Sequence, residues 1–422
     1  MRIVKRDIPG INLYYLPIEK FKTIEVFFVF TNKMDPERFN ERNMLMDILG
    51  EQTKKYSTPE KLKMACDNLY GLSKLNYYHF EGNLDISMFV ASVVNDKYLD
   101  ENIFSDSFDL LMEIIYNPKM YLDHIPKTSV KERISQAKAL LLSQKQNKNA
   151  YAYYQFMQNY TDNNQDHFAF FPMEKYLSKV NHLSLTETYH KMINDDNLEI
   201  FIGGDFSFKE MDELIKPKLA KIMKNNSLNL QFNPKFNPRS KINKVVEKTS
   251  TGQTRIFIGY DLNFIYNQKN SLSMSLFNEI FGGFENSKLF KNIREKLNLS
   301  YYVYSHYSPG NSLFYVNLET SKENTEQALK EVEKQLEECK NGLFDDALFI
   351  QAKNNLINRL ETAVDSQSKL LLYNIFSYLR HSKSFDLEDT KEIIAKITKE
   401  DLIGLIKQIN VDTIYIYTSG GK

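Results

Sequence analysis

The chain of 422 residues has only two cysteines and no net charge, and both facts exclude function classes. Cys66 and Cys339 lie in different halves of the sequence, so they form neither a disulfide framework nor a metal-binding cluster. Lys and Arg together number 54, and so do Asp and Glu, so no charge excess draws the chain to nucleic acid or an anionic membrane. No run approaches the ~18 apolar residues of a membrane span, and the N-terminus lacks a signal-peptide apolar core. The seven histidines, at 79, 124, 167, 182, 190, 306 and 381, never pair at i, i+4 and never neighbour a cysteine. P-loop, dinucleotide-binding and Gly-x-Ser-x-Gly patterns are absent. These absences point to a cytoplasmic, reduced protein, with 42% hydrophobic and 26% charged residues as in an ordinary globular chain.

The chain is long enough for two domains. Alternation over residues 3–16 around Pro9-Gly10 predicts a hairpin, and 22–30 is a β-branched and aromatic strand. A helix follows from Asn40 to Leu49, with Met44, Leu45, Ile48 and Leu49 on its apolar face. Thr58 and Pro59 open another helix. Further expectations are a strand over 83–94, helices over 103–116, 127–146 and 183–194, and a strand closing on Gly203-Gly204. The order then recurs. The segment from Leu183 to Gly204 matches the one from Ile397 to Gly420, each a capped helix, a polar turn, a strand and a terminal glycine. A period this long signals a duplicated domain. The Asn-, Lys- and Pro-rich stretch between the copies, with Asn233-Pro234 and Asn237-Pro238, reads as a linker. The expected architecture is therefore α+β: two homologous halves, each a mixed β-sheet backed by helices, covering 1–224 and 245–422 and joined by 225–244.

The stretch from Gly282 to Tyr307 combines a loop, a helix and a strand. Gly282-Gly283 interrupts an apolar helix, and this pair, like Gly203-Gly204, reads as a turn and not a phosphate cradle. Ser287 is the expected N-cap of the next helix. Leu289, Phe290, Ile293 and Leu297 fall on one face of it, with Arg294 off that stripe and Tyr301 seven residues later at the start of a strand.

This stretch resembles the second half of the pitrilysin/insulinase zinc peptidases, where a Gly-rich loop leads into "Ser-[Arg/Lys]-Leu-Phe…Arg-Glu-Lys" and "Leu-[Ala/Ser]-Tyr". The duplicated halves and the "Leu-Thr-x-Glu-Asp-Leu" ending, seen here as Leu185 to Asp205, extend the resemblance over the whole chain. It implies that Arg294 and Tyr301 form a pair facing substrate, able to polarise a peptide carbonyl or hold its oxyanion. It also implies a clam-shell architecture with a zinc motif, His-x-x-Glu-His, on the first long helix.

That motif is missing. Its positions are Asn43, Met46 and Asp47, which share one helical face. A catalytic zinc needs three protein donors and a polarised water. Asn43 offers a neutral amide, Asp47 one carboxylate, and Met46 cannot take a proton. The third ligand, a Glu on a later helix, falls where Lys138 to Leu142 carry no acid, with Glu132 upstream. The resemblance thus implies a non-catalytic subunit with no cofactor of its own. It would pair with a zinc-bearing homologue, supply Arg294 and Tyr301, and act on peptides or unfolded segments bound as an added strand. The alternative is a purely structural scaffold subunit with no direct role in cleavage.

Overall fold

The computed structural model describes residues 2–8, 11–160, 174–222, 228–234, 239, 241–249 and 252–420. Pro9-Gly10, His167 and Asn237-Pro238 lie outside the described residues, as does part of the 225–244 stretch. The chain divides into two compact units: Met1–Leu141 with Pro172–Phe232 and Val364–Asp386, and Leu142–Phe171 with Asn233–Ala363 and Leu387–Lys422.

The first unit is built on six strands, β1 (Val4–Ile8), β2 (Ile11–Pro17), β3 (Thr23–Lys33), β4 (Ser73–Glu81), β5 (Leu84–Val94) and β6 (Asn197–Gly204), in the order β1-β2-β6-β3-β5-β4. The β2–β6 pair is parallel and the other pairs are antiparallel. Central β3 is buried from Ile24 to Thr31, so both of its faces must be covered. Successive side chains alternate between faces. Val26, Phe28 and Phe30 join the core built with the helices Phe39–Leu49, Phe104–Tyr116 and His182–Asp195. The other face, carrying Tyr14 and Phe201, meets the helix Gln367–His381. There the Tyr14 hydroxyl bonds that of Tyr378 at 2.5 Å, and Gln367 Nε2 donates to the Gly203 carbonyl at 2.7 Å. Gly203 is needed here, because a Cβ would lie 2.7 Å from Leu371 Cδ1.

The second unit repeats the plan. Its strands β7 (Asn243–Thr249), β8 (Thr254–Leu262), β9 (Ser300–Ser308), β10 (Leu313–Thr320) and β11 (Ile409–Ser419) run in the order β7-β11-β8-β10-β9. Again the second strand added, β11, pairs parallel with its outer neighbour and antiparallel with the centre. Ile256 and Ile258 face the helical core, while Phe257, Tyr315 and Tyr415 meet Ala152, Phe156 and Met157 of the helix Lys148–Asn159. Gly259 leaves room for the Tyr160 ring, 2.3 Å from where a Cβ would stand. Each sheet therefore carries on its outer face a helix from the opposite half of the sequence. The sequence division at 224 and 245 falls between the first six strands and the last five, except that β7 already begins at Asn243.

The duplicated segment keeps its local chemistry in both copies. Asn181 caps the helix His182–Asp195 and Thr398 caps Lys399–Ile406, and in each the N-cap backbone N–H donates in return to the N3 side chain. Among the described residues no helix is long and apolar enough to cross a membrane.

Candidate functional site

The expected helix after Gly282-Gly283 is present, but it is wider than an α-helix. Residues Phe290–Lys296 are π-helical, and the Leu297 N–H bonds Asn292 O at 3.1 Å, five residues back. The helix Gln268–Asn278 likewise runs on into a π-turn, Glu279–Gly283. This corrects two expectations. Leu289 and Ile293 are fully buried, but Leu297 is exposed, because the wider turn rotates it off the stripe. Ser287 closes the first turn through its carbonyl, which accepts from the Lys291 N–H at 3.0 Å. Its hydroxyl is buried without a hydrogen-bond partner and caps nothing. Gly282 is fixed by close approach and not by turn geometry, since a Cβ would stand 2.5 Å from Ser305 N on β9.

Arg294 is exposed, with its guanidinium 4.6 Å from the Phe290 ring centroid. Stacking on a ring one turn back holds the cation without neutralising it. The chain then turns through Asn298, at φ 49°, into β9. Ser300 pairs with Thr320 and Tyr302 with Glu319, so Tyr301 is an extra residue in the ladder, a β-bulge. Along β9, Val303, Ser305 and Tyr307 point to the core. Strict alternation would send position 301 to that same face. The bulge instead leaves Tyr301 76% exposed beside exposed Tyr302. Ser300 holds it open: its Oγ lies 2.6 Å from Glu319 O and 2.7 Å from Tyr302 O, and it accepts from the Tyr302 N–H at 3.2 Å. Tyr301 is thus not a core residue. Arg294 and Tyr301 make no direct hydrogen bond with each other; they share an exposed helix-to-strand corner at the edge of the sheet.

The degenerate motif lies on the helix Phe39–Leu49 of the first unit. Asn43 and Asp47 are exposed on it, but Met46 is 1% exposed and belongs to the core. The helix forms as expected and positions 43, 46 and 47 lie within one arc of it, but Met46 sits at the rim of that arc, where its apolar thioether is drawn into the core. Arg133, on the helix Lys127–Gln146, reaches across. Its Nη1 is 3.9 Å from Asp47 Oδ2, and its Nη2 pairs with Glu51. Burial pushes the Asp47 carboxyl up from its ordinary value and Arg133 draws it partly back. These residues do not fit zinc: an amide, a buried thioether and a carboxylate facing a permanent cation. Among the described residues no three His, Cys, Asp or Glu side chains could hold a metal ion.

Sequence reasoning missed Arg133, the Tyr301 bulge and a His124–His182 pair, whose rings meet edge-on at 5.9 Å. The histidines are far apart in sequence and carry no spacing signal. A bulge signal was present in β9: Tyr301 and Tyr302 are adjacent aromatics at the start of an otherwise alternating run.

Residues 179–356 match the family model described as the peptidase M16 inactive domain. The "Probable inactive metalloprotease YmfF" of Bacillus subtilis (strain 168) is 25% identical over 96% of this chain and 95% of its own length. A conserved protein of Enterococcus faecalis V583 has the same fold, with a TM-score of 0.91 and 24% identity over 100% of both chains. A peptidase M16 inactive domain from Pseudomonas fluorescens superposes with a TM-score of 0.81 and 17% identity, over 100% of this chain and 99% of that one. With the two duplicated sheets and the emptied zinc motif, the family-model match and the likeness to YmfF make the chain similar to inactive members of the M16 (pitrilysin/insulinase) peptidases.

Proposed function

We propose that the chain is the non-catalytic subunit of a two-subunit zinc peptidase. It pairs with a zinc-bearing homologue and presents Arg294 and Tyr301 to a peptide substrate. The observation that carries this reading is the bulge at Tyr301. A ladder defect held by three contacts of one serine turns a tyrosine out of the core, and bulges of this kind re-aim side chains at functional sites. A chain that needed only its core would gain by regular pairing. Arg294, stacked but without a counter-charge, supplies a fixed cation on the same corner. The carbonyl of a peptide bond, polarised by a phenol O–H and a guanidinium, would develop its negative charge toward these donors. Cleavage itself belongs to the partner, because Asn43, Met46 and Asp47 cannot hold the metal.

Co-expression with a homologue carrying His-x-x-Glu-His, followed by sizing chromatography and peptide hydrolysis, tests the reading. A stable complex should form, with an interface on the order of 2,000 Å² or more, and Tyr301→Phe should slow its turnover. Separate elution at micromolar concentration would overturn the pairing. Assembly with turnover unchanged by both Tyr301→Phe and Arg294→Ala would favour the scaffold alternative.

A further inference from the structure

The first unit contains a second concave site that owes nothing to the zinc motif or to Arg294 and Tyr301. The segment between the helices Phe104–Tyr116 and Lys127–Gln146 walls a cavity of about 520 Å³, floored by Ile125 and Pro126 and reached by His182. The segment is a tight hairpin. Tyr121 N–H donates to His124 O at 2.8 Å and His124 N–H to Tyr121 O at 3.1 Å. Its two central residues, Leu122 and Asp123, have φ of 48° and 60°. Such turns favour Asn and Gly, and a leucine there costs on the order of 1 kcal/mol or more. The strained leucine is also 77% exposed and neighbouring Tyr121 72% exposed. Strain and exposure together give this apolar rim no folding benefit.

The charge around the cavity has one sign. Its charged lining side chains are Lys119 and Lys127, with the imidazoles of His124 and His182 beside them, and among the described residues no acidic side chain lines it; Asp123, at the exposed tip, is not part of the lining. Lys119 Nζ rests on neutral acceptors, Gln52 Oε1 at 3.1 Å and Ser57 O at 2.8 Å. Lys127 makes no ion pair among the described residues. The helices that begin at Lys127 and His182 have no acidic residue in their first turns, so their positive ends add to the field. Partial burial, then Lys127 and His124, hold the His182 imidazole below its ordinary pKa. His124 Nδ1 is buried with no hydrogen-bond partner. A buried ring nitrogen without a partner is a polar group left open to a ligand.

We propose that this cavity binds a small amphipathic carboxylate: an acid group held by Lys119, Lys127 and His124, with an apolar chain lying along Met120, Leu122 and Ile125. The volume suits one small molecule. Apolar lining with a few convergent polar groups of one sign selects for such a ligand and against a neutral or cationic one of equal tail length.

Titration calorimetry of the full chain with decanoate, decan-1-ol and decyltrimethylammonium tests this. Decanoate should bind at least about tenfold more tightly than the alcohol, a difference of about 1.4 kcal/mol, and the ammonium should bind least. Lys127→Glu changes an exposed side chain and should weaken decanoate at least about fivefold while leaving the alcohol and the unfolding temperature unchanged. Leu122→Gly should weaken both ligands yet raise stability by relieving the turn. Equal affinity for decanoate and decanol, no binding of either, or decanoate binding indifferent to Lys127→Glu would overturn the proposal. Preference for an apolar-ended peptide with a free C-terminus, with no decanoate binding, would overturn it in favour of a peptide. None of these results bears on the subunit reading, which rests on the Tyr301 bulge and on the degenerate motif, none of whose residues lines this cavity.

Discussion

Arg133 Nη1 lies 3.9 Å from Asp47 Oδ2, so a guanidinium stands beside the last position of the degenerate motif. A guanidinium stays protonated at any pH the protein survives. The motif helix therefore offers too few donors, and a neighbouring helix sets a fixed cation against it that repels a metal.

The purified chain should hold less than about a tenth of an equivalent of zinc after dialysis and should cleave no peptide, since three donors are required. Mass-spectrometric metal analysis decides; about one tightly held zinc per chain would refute it. The double substitution Asn43→His and Asp47→His should restore weak zinc binding. Adding Arg133→Gln should then tighten it by at least about tenfold, because the repulsion across a few ångströms is removed. Affinity unchanged by Arg133→Gln would show that the guanidinium is screened.

In the reconstituted complex, Tyr301→Phe should lower kcat by ~10²-fold, about 3 kcal/mol, by analogy with other single-donor deletions. KM should change less, because the charge develops only in the transition state. Tyr301 and Arg294 are both exposed, so thermal unfolding of Tyr301→Phe and Arg294→Ala should match the parent within experimental error.

Ser300→Ala separates placement from chemistry. Removing the hydroxyl that bridges Glu319 O and the Tyr302 backbone should cost about 1 kcal/mol of stability. It should also lower kcat although Tyr301 itself is intact, because the bulge can relax toward regular pairing. Stability loss with full activity would mean that the bulge does not position Tyr301.

Two carboxylates near one hairpin should give stability a two-sided pH profile. Burial alone would raise Glu81, but Arg380, bidentate to it at 2.8 and 2.5 Å, and His79 bring it down to about 2. Its contribution is present above the unfolded value and is lost as pH falls from about 4.5 toward 2. Asp85 behaves oppositely: burial outweighs Arg42 and the Tyr78 hydroxyl and pushes it up to about 6. Its protonated form favours the fold, so stability falls as pH rises from about 4 to 6, by about 3 kcal/mol at most. Urea unfolding midpoints between pH 3 and 7 (roughly spanning both windows) should lose the upper decline in Asp85→Asn and the acid decline in Glu81→Gln. An unaltered profile in Asp85→Asn would place its titration elsewhere.

Gly282→Ala should destabilise the second unit by about 1–3 kcal/mol, as a methyl 2.5 Å from Ser305 N must push the π-turn off β9. The same substitution at Gly404, with nothing within 4 Å of the added Cβ, is the control and should be neutral or stabilising. Chemical denaturation of both variants provides the comparison.

Much of the fold was legible because its signals are local. The 22–30 strand became β3, and the 127–146 and 183–194 helices formed within a residue of their expected ends. The Leu183–Gly204 and Ile397–Gly420 repeat folded into the same capped helix and strand, since capping chemistry acts within three residues. The emptied zinc motif was equally legible, because ligand identity is a property of residue type and needs no coordinates. Strand β4 and the helices Lys148–Asn159 and Gln367–His381 were not separately foreseen. The two helices matter only through the outer sheet faces they cover, on strands remote in sequence.

Other features were decided by tertiary structure alone. Leu297 left its stripe because β9 packs against the preceding π-turn and the helix widens, which periodicity at 3.6 residues per turn cannot anticipate. Met46 sank into the core because burial of a thioether outweighs its place beside Asn43 and Asp47. Arg133 met Asp47, and His124 met His182, only because separate helices were brought together by the apolar residues beneath them. Residue types thus determined that this chain holds no zinc motif and that Arg294 and Tyr301 stand at a helix-to-strand corner. A single extra residue in the ladder, held by Ser300, decided that Tyr301 points outward, because pairing register is a property of two strands and is written in neither one.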